Sequence, residues 1–422
     1  MAYIKPFKAL RPRDELISKV NSPPYDILSQ EEARLIIKNN PYSFLKVVKP
    51  EATIIEMRDA DNHQLAEIAA KKLQEMIREE VFLKEEEECF YLYSQNSNAY
   101  QRIGLVACLS VEDYLRGVIK RHENINIEAY QQRVNHIKVT KAHTGCILII
   151  YKNNQHIDEL INRTVVSKKP IYDFESDDGI KNVCWKIDEK EIITSLREAF
   201  QYVSSLYIAD GHHRTAAAVE VAQILKSKRN KRTGKETNLD NEYIYFPAVL
   251  IPDNQIHISA YHRVVRVSPD FNRDDFLKKL EEIFKVEKIS SNNPFLPTKR
   301  HEFGMNISRQ WYKLLLKEDL LNRRDRNIKE HLDVSILQDL VLQPLLGIEN
   351  PQKSDRIEFF GGNEAIVEIE KKNKEESVVA FTLFPTSTEE VIAVSEKQQV
   401  MPPKSTWFEP KLRSGIFIHL FD

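Results

Sequence analysis

The chain has only 11 glycines in 422 residues, and no Walker-type Gly-rich loop stands anywhere along it. Phosphate binding of the P-loop kind is therefore excluded, because that loop needs clustered glycines to bring backbone N–H groups close to the anion. Cysteine is equally scarce. Cys89, Cys108, Cys146 and Cys184 are too far apart in sequence for a CxxC pair and sit among apolar or strand-forming neighbours. They are expected to be reduced, buried thiols, with no disulfide or metal role. An excess of one charge sign is also missing: 61 Lys and Arg face 63 Asp and Glu, a net charge of -2. A polyanion-binding surface usually shows as a basic surplus, so a nucleic-acid partner is not expected. Long apolar runs are lacking as well. Stretches such as Phe246–Ile251 are far too short to span a bilayer, and the first residues have no apolar signal region. The expectation is a cytoplasmic protein with no membrane partner.

Apolar residues at 42% and charged residues at 29% are ordinary for a globular chain. Its length favours two lobes, since single cores stop growing well before this size. Ser29 with Glu32 three residues on predicts a capping box opening a helix over 30–38. Leu65, Ile68, Ala69, Leu73 and Ile77 predict a helix over 61–80. Strands are predicted at 89–93, 101–107, 147–151, 206–209, 243–251 and 256–265. A helix is predicted from His212 through Leu225, followed by a basic polar loop over 226–235 that reads as solvated, not nucleic-acid binding. A charged helical stretch is expected over 268–288 and a loop and lobe boundary over 293–297. A helix near 335–345 should precede strands at 356–360, 365–370 and 378–383.

Three polar clusters could carry chemistry. In the first, an apolar strand runs into Asp210-Gly211-His212-His213-Arg214-Thr215 where a helix begins. A helix N-terminus offers unpaired N–H groups and a positive dipole end. Gly211 permits close approach of an anion, Arg214 supplies a guanidinium fork, Thr215 a hydroxyl, and His212 and His213 can carry protons near neutral pH. The plainer reading is a capped helix with surface histidines. A metal site from adjacent His212 and His213 is disfavoured, because neighbours in sequence do not share a helix face. In the second cluster, His122 and Glu123 precede Arg133, His136, His143 and Thr144. Glu123 could take a hydroxyl proton, and Arg133 or His136 could hold a carboxylate or phosphate; the alternative is a solvated loop. In the third, Lys404, Ser405 and Lys411 surround Trp407 and Phe408. This segment could close over an anion, pack as an anchor, or do both.

Six blocks spread along the chain resemble one bacterial family, catalogued as domain of unknown function 1015. They are Pro6-Phe7-Lys8-Ala9-Leu10-Arg11-Pro12, Pro23-Pro24-Tyr25-Asp26, Asn40-Pro41-Tyr42-Ser43-Phe44-Leu45, Ala209–Arg214, Tyr261-His262-Arg263-Val264-Val265 and Met401–Phe408. The Asp-Gly-His-His-Arg block is also similar to the phosphate-binding motif of free-serine kinases with a ParB/sulfiredoxin-like fold. That resemblance implies an α/β (α+β) protein, with a ParB-like mixed-sheet domain over 1–265 and a second α+β lobe over 266–422. It implies phosphoryl transfer to the hydroxyl of a small amino acid, most simply L-serine giving O-phosphoserine. Asp210, His212 and His213 would act with Glu123 in catalysis. Gly211, His213, Arg214, Thr215, Lys404, Ser405 and Lys411 would bind phosphate, and His122, Arg133 and His136 the substrate. Pyrophosphate, ADP or ATP would be the donor, with Mg2+ near Asp210. The stretch Glu128–His136 departs from the family pattern, with Gln132 where Asp is expected. A phosphatase or nuclease-like hydrolase using water, and a nucleotide- or DNA-binding regulator without turnover, are the alternative readings.

Overall fold

The computed structural model describes every residue except 55–59, 98, 234–240, 291–292, 324–326, 363, 375–376 and 422. It is an α+β protein built around a mixed sheet. Two compact units are present: residues 1–121, 125–256 and 410–422 form the first, and residues 122–124 with 257–409 form the second. The last dozen residues thus return to the first unit.

The first unit holds a nine-stranded sheet. Its strands are β1 (Ile4–Lys5), β2 (Phe90–Asn96), β3 (Gln101–Ser110), β4 (Ile119–Lys120), β5 (Ile147–Tyr151), β6 (Tyr172–Glu175), β7 (Lys181–Ile187), β8 (Leu206–Asp210) and β9 (Tyr245–Pro252). They lie in the order β4-β8-β5-β9-β3-β2-β7-β6, with β1 paired to β3. Two neighbouring pairs, β8 with β4 and β9 with β5, are parallel and the rest antiparallel. The central strands are near-continuous apolar runs. Every residue of β5 and β9 is buried, as expected when both faces of a sheet are covered. The core includes Leu105, Ala107, Ile149, Ile208 and Leu250 from the sheet and Ala217, Ala218 and Val221 from the helix that follows β8.

The predicted capping box is present: Ser29 accepts from the Glu32 backbone and Glu32 accepts from that of Ser29, opening helix α1 (Gln30–Asn39). Helix α2 (Asn62–Arg78) buries Ala66, Ala69, Leu73 and Met76 on one face. Helix α3 (Ile127–Thr140) replaces the solvated loop allowed for in the second polar cluster. Its inner face buries Arg133, His136 and Thr140 beside Val134 and Ile137, so polar residues interrupt the apolar period that would have announced a helix. Helix α4 (His212–Thr233) runs on through the predicted basic loop; Gly234 and Lys235 lie outside the described residues. Lys and Arg are good helix formers, and nothing before Gly234 breaks the helix. The four cysteines are buried and unpaired. Among the described residues, no helix is long and apolar enough to cross a membrane.

The second unit has a six-stranded antiparallel sheet of β10 (Tyr261–Arg266), β11 (Phe284–Lys288), β12 (Glu302–Ile307), β13 (Gln310–Leu316), β14 (Ile357–Gly361) and β15 (Val378–Leu383), in the order β11-β13-β12-β15-β10-β14. Two predictions are corrected here. The 268–288 stretch divides into a helix over Arg273–Ile283 and strand β11. Residues 365–370, predicted as a strand, form the helix Ala365–Lys372. Ala365 and Ile369, four apart, are the pair it buries, which is helical and not strand spacing.

Candidate functional site

Strand β8 carries Leu206–Ala209 buried and delivers Asp210 at its partly exposed end. Its register against β5 shifts between Ile208 and Asp210. Gly211 then adopts φ +104, a conformation that side chains resist, and α4 begins at once. A Cβ at Gly211 would lie 3.0–3.2 Å from the Arg214 guanidinium. The glycine therefore serves both the turn and the seating of that arginine.

Arg214 donates to the Cys146 carbonyl at 2.7 Å and to Asp210 Oδ2 at 3.0 Å. Burial works against its charge, but the nearby Asp210, helped by Tyr25 and Asp26, outweighs that and raises the guanidinium pKa above its ordinary value. Lys411, from the returning C-terminal segment, brings Nζ to 3.7 Å from Asp210 Oδ1. Arg102 is buried and donates to the Pro410 carbonyl, and Gln95 donates to that of Lys411 at 3.1 Å. Two side chains from the central sheet thus hold the lysine-bearing segment in place. Burial lowers the pKa of Arg102 to about 10.

His213 accepts a hydrogen bond from the Asn126 backbone N–H at Nε2, 2.9 Å away. Accepting there puts the ring proton of the neutral form on Nδ1. His212 is 4% exposed. Thr215, expected to contact phosphate, is fully buried and its hydroxyl donates to the Gly211 carbonyl. That bond closes the first turn of α4.

A small cavity in the first unit opens beside this junction, lined by Tyr25, Arg133, His136, Thr144, Gly145 and Arg214 among others. It leaves about 30 Å³ for the centres of water-sized molecules. His136 Nε2 pairs with Thr144 Oγ1 at 3.1 Å. Burial, and then the charge of Arg133, lower its pKa to about 3, so it is neutral. Tyr25 and Gly145 are cavity residues that sequence reasoning missed. The rigid Pro23-Pro24-Tyr25 turn was the signal available for the first; nothing marked the second.

The remaining predicted site residues belong to the second unit. His122 is fully buried, its carbonyl accepts from the Met401 backbone at 2.8 Å, and Nε2 lies 3.5 Å from Thr406 Oγ1. Glu123 is partly buried, with a carboxylate oxygen within 4.8 Å of a His122 ring nitrogen. Ser405 is 2% exposed and its hydroxyl donates to the Pro402 carbonyl at 2.6 Å. Lys404 lies 5.3 Å from the Tyr261 ring.

Both oxygens of Asp210 face cations, Arg214 and Lys411. That donor set fits Mg2+ only through intervening water, since direct coordination would displace one of the two pairs.

A family model described as "Protein of unknown function (DUF1015)" matches residues 4–335. None of the curated proteins matches the chain. Among solved structures, a free serine kinase in complex with AMP is 11% identical, covers 74% of this chain and 91% of its own, and gives a TM-score of 0.35. SbnI with C-terminal truncation, from Staphylococcus aureus, is 12% identical over 75% and 87%, with a TM-score of 0.39. A conserved hypothetical protein from Pyrococcus furiosus is 12% identical over 74% and 94%, with a TM-score of 0.35. The likeness is low in identity and in TM-score.

Proposed function

The chain belongs to the DUF1015 family of proteins of unknown function, and from there we propose that it is a phosphotransferase acting on the hydroxyl of a small amino acid, most simply L-serine. One observation carries this reading. At the β8–α4 junction a helix N-terminus, Arg214 and Lys411 surround a single carboxylate, Asp210. Two cations and a helix dipole meet at that carboxylate, an environment that favours a further negative group such as a phosphoryl.

Catalysis of phosphoryl transfer is mostly positioning and charge stabilisation. The backbone at Gly211 and the Arg214 fork would hold the phosphoryl oxygens, with Lys411 as a second cation. Asp210 keeps both cations aimed and would hold Mg2+ through water. Mg2+ spreads the charge of a pyrophosphate or nucleotide donor. His213, with its proton at Nδ1, can donate to a phosphoryl oxygen. Glu123 is assigned the proton of the acceptor hydroxyl. Arg133 and His136 are assigned to the acceptor.

Phosphorus NMR of the purified protein with Mg2+ and L-serine tests this, offering pyrophosphate, ADP and ATP separately. A phosphoserine signal that disappears in Arg214→Ala and in Glu123→Gln is expected. Release of free phosphate alone would make the protein a hydrolase, and no turnover from any donor would sink the transferase.

A further inference from the structure

Four arginines of the described chain are buried: Arg102, Arg133, Arg263 and Arg413. Three of them donate to the protein through their guanidinium groups. Arg102 bonds to Gln95 and Pro410, Arg263 to the Tyr261 and Lys404 carbonyls, and Arg413 to Asn21, Asp177 and Asp178. Arg133 differs. It is 5% exposed, its guanidinium carbon lies 4.1 Å from the centre of the Tyr25 ring, and it makes no hydrogen bond among the described residues. Its nitrogens keep contact with solvent, so its N–H groups remain to be completed by whatever enters the cavity that Arg133 lines.

The cavity defines what would complete it. Arg214 is matched by Asp210, and among the described residues no carboxylate lines the cavity, so there Arg133 brings a positive charge with no acid beside it. The volume of about 30 Å³ holds on the order of two or three water-sized atoms. That suits a carboxylate group and is too small for a nucleoside. A monoanion matches the single charge, and a planar one matches the fork.

We propose that this cavity is a carboxylate pocket, in which Arg133 receives the carboxylate of the acceptor apart from the phosphoryl site at Gly211–Arg214. Naming the acceptor's carboxylate rests on the phosphotransfer reading; the pocket's chemistry does not. Gly145 is the second element. A Cβ there would meet only Arg214 Nη1, at 3.5 Å, so Gly145→Ala adds a methyl group at the cavity wall without a clash.

Titration calorimetry on the full chain separates the possibilities, using L-serine, L-serinamide, propionate and inorganic phosphate. The variants are Arg133→Met, which keeps the stem, and Gly145→Ala, each checked for folding by thermal melting. L-Serine and propionate should bind at least about 10-fold more weakly to Arg133→Met, from loss of a charge-assisted pair, and more weakly to Gly145→Ala, whose methyl takes up room in the pocket. L-Serinamide should bind the native protein weakly and be indifferent to Arg133→Met, and phosphate should be unaffected. Three results overturn the pocket: no carboxylate binds the folded native protein at millimolar concentration, Arg133→Met leaves L-serine binding intact, or it weakens phosphate instead. Arg133-dependent carboxylate binding without transfer from any donor would keep the pocket and remove the kinase reading. Serine phosphorylation indifferent to Arg133 would do the reverse.

Discussion

Asp210–Thr215 and Lys404–Lys411 carry much the same chemistry in sequence: cations, hydroxyls and a constrained backbone. In the structure they diverge. At the first, Arg214 and Lys411 converge on one carboxylate beside a cavity. At the second, the polar groups hold the chain to itself. The Ser405 hydroxyl donates to Pro402, its carbonyl accepts from Thr386, the Lys404 carbonyl accepts from Arg263, and the Trp407 indole donates to Glu409. The segment also divides, with Lys411 in the first unit and Lys404 in the second. Residue type suggests anion binding in both places. What separates them is whether the donors still have capacity to give.

The largest expected effect is at the first region. Arg214→Ala should lower the rate of phosphoserine formation by about 100-fold or more, the usual cost of removing a preorganised donor. Lys404→Ala should change it less than about 3-fold, since an exposed cation over a ring contributes little. Equal losses would break the comparison. Gly211→Ala should follow, with a loss of about 10-fold and about 1–3 kcal/mol of stability by urea denaturation. It forces a side chain into φ +104 and presses on Arg214. A neutral result there would mean that Arg214 need not stay where Gly211 seats it.

How much of this the sequence told depends on which residues set the pattern. The β8–α4 junction was legible because an apolar strand, a glycine and a run of alanines are local signals, and the Ser29 cap was legible for the same reason. Helix α3 was not, because Arg133 and His136 occupy its buried face. The residues that break its apolar period are the ones that line the cavity. The basic end of α4 read as a loop because charge was taken for solvation, although Lys and Arg favour helix. Residues 365–370 read as a strand, and burial of Ala365 with Ile369, four apart, decided otherwise. The pairing of Lys411 with Asp210 is a contact across two hundred residues that no local pattern encodes.

Acid stability sharpens the comparison further, because each region has a buried neutral histidine close by in sequence or space. His136 has its pKa lowered to about 3 and His262 to about 4, in both cases by burial first and an adjacent arginine second. The unfolded chain takes up a proton below about 6.5 that the folded chain refuses. Stability from His136 is therefore complete above pH 6.5 and drains away as pH falls toward 3, at no more than about 1.4 kcal/mol per pH unit. His136→Gln should flatten that limb in urea titrations run from pH 7 to 4. A residual slope from His262 and His143, whose pKa values are also lowered, should persist. An unchanged limb in His136→Gln would mean that His136 protonates freely, in a cavity wetter than its burial implies.

The smallest effect should fall on the second region and on stability alone. Ser405→Ala removes the hydroxyl bonded to Pro402 and leaves a partly buried carbonyl one partner short. The cost should be about 1 kcal/mol by urea denaturation. Phosphoserine formation should stay within about 3-fold of the native rate, because that hydroxyl is already spent inside the chain. A large loss of rate with full stability would show that Ser405 leaves Pro402 to meet the anion. The 404–411 segment would then be a moving part, and the two regions would differ in timing and not in kind.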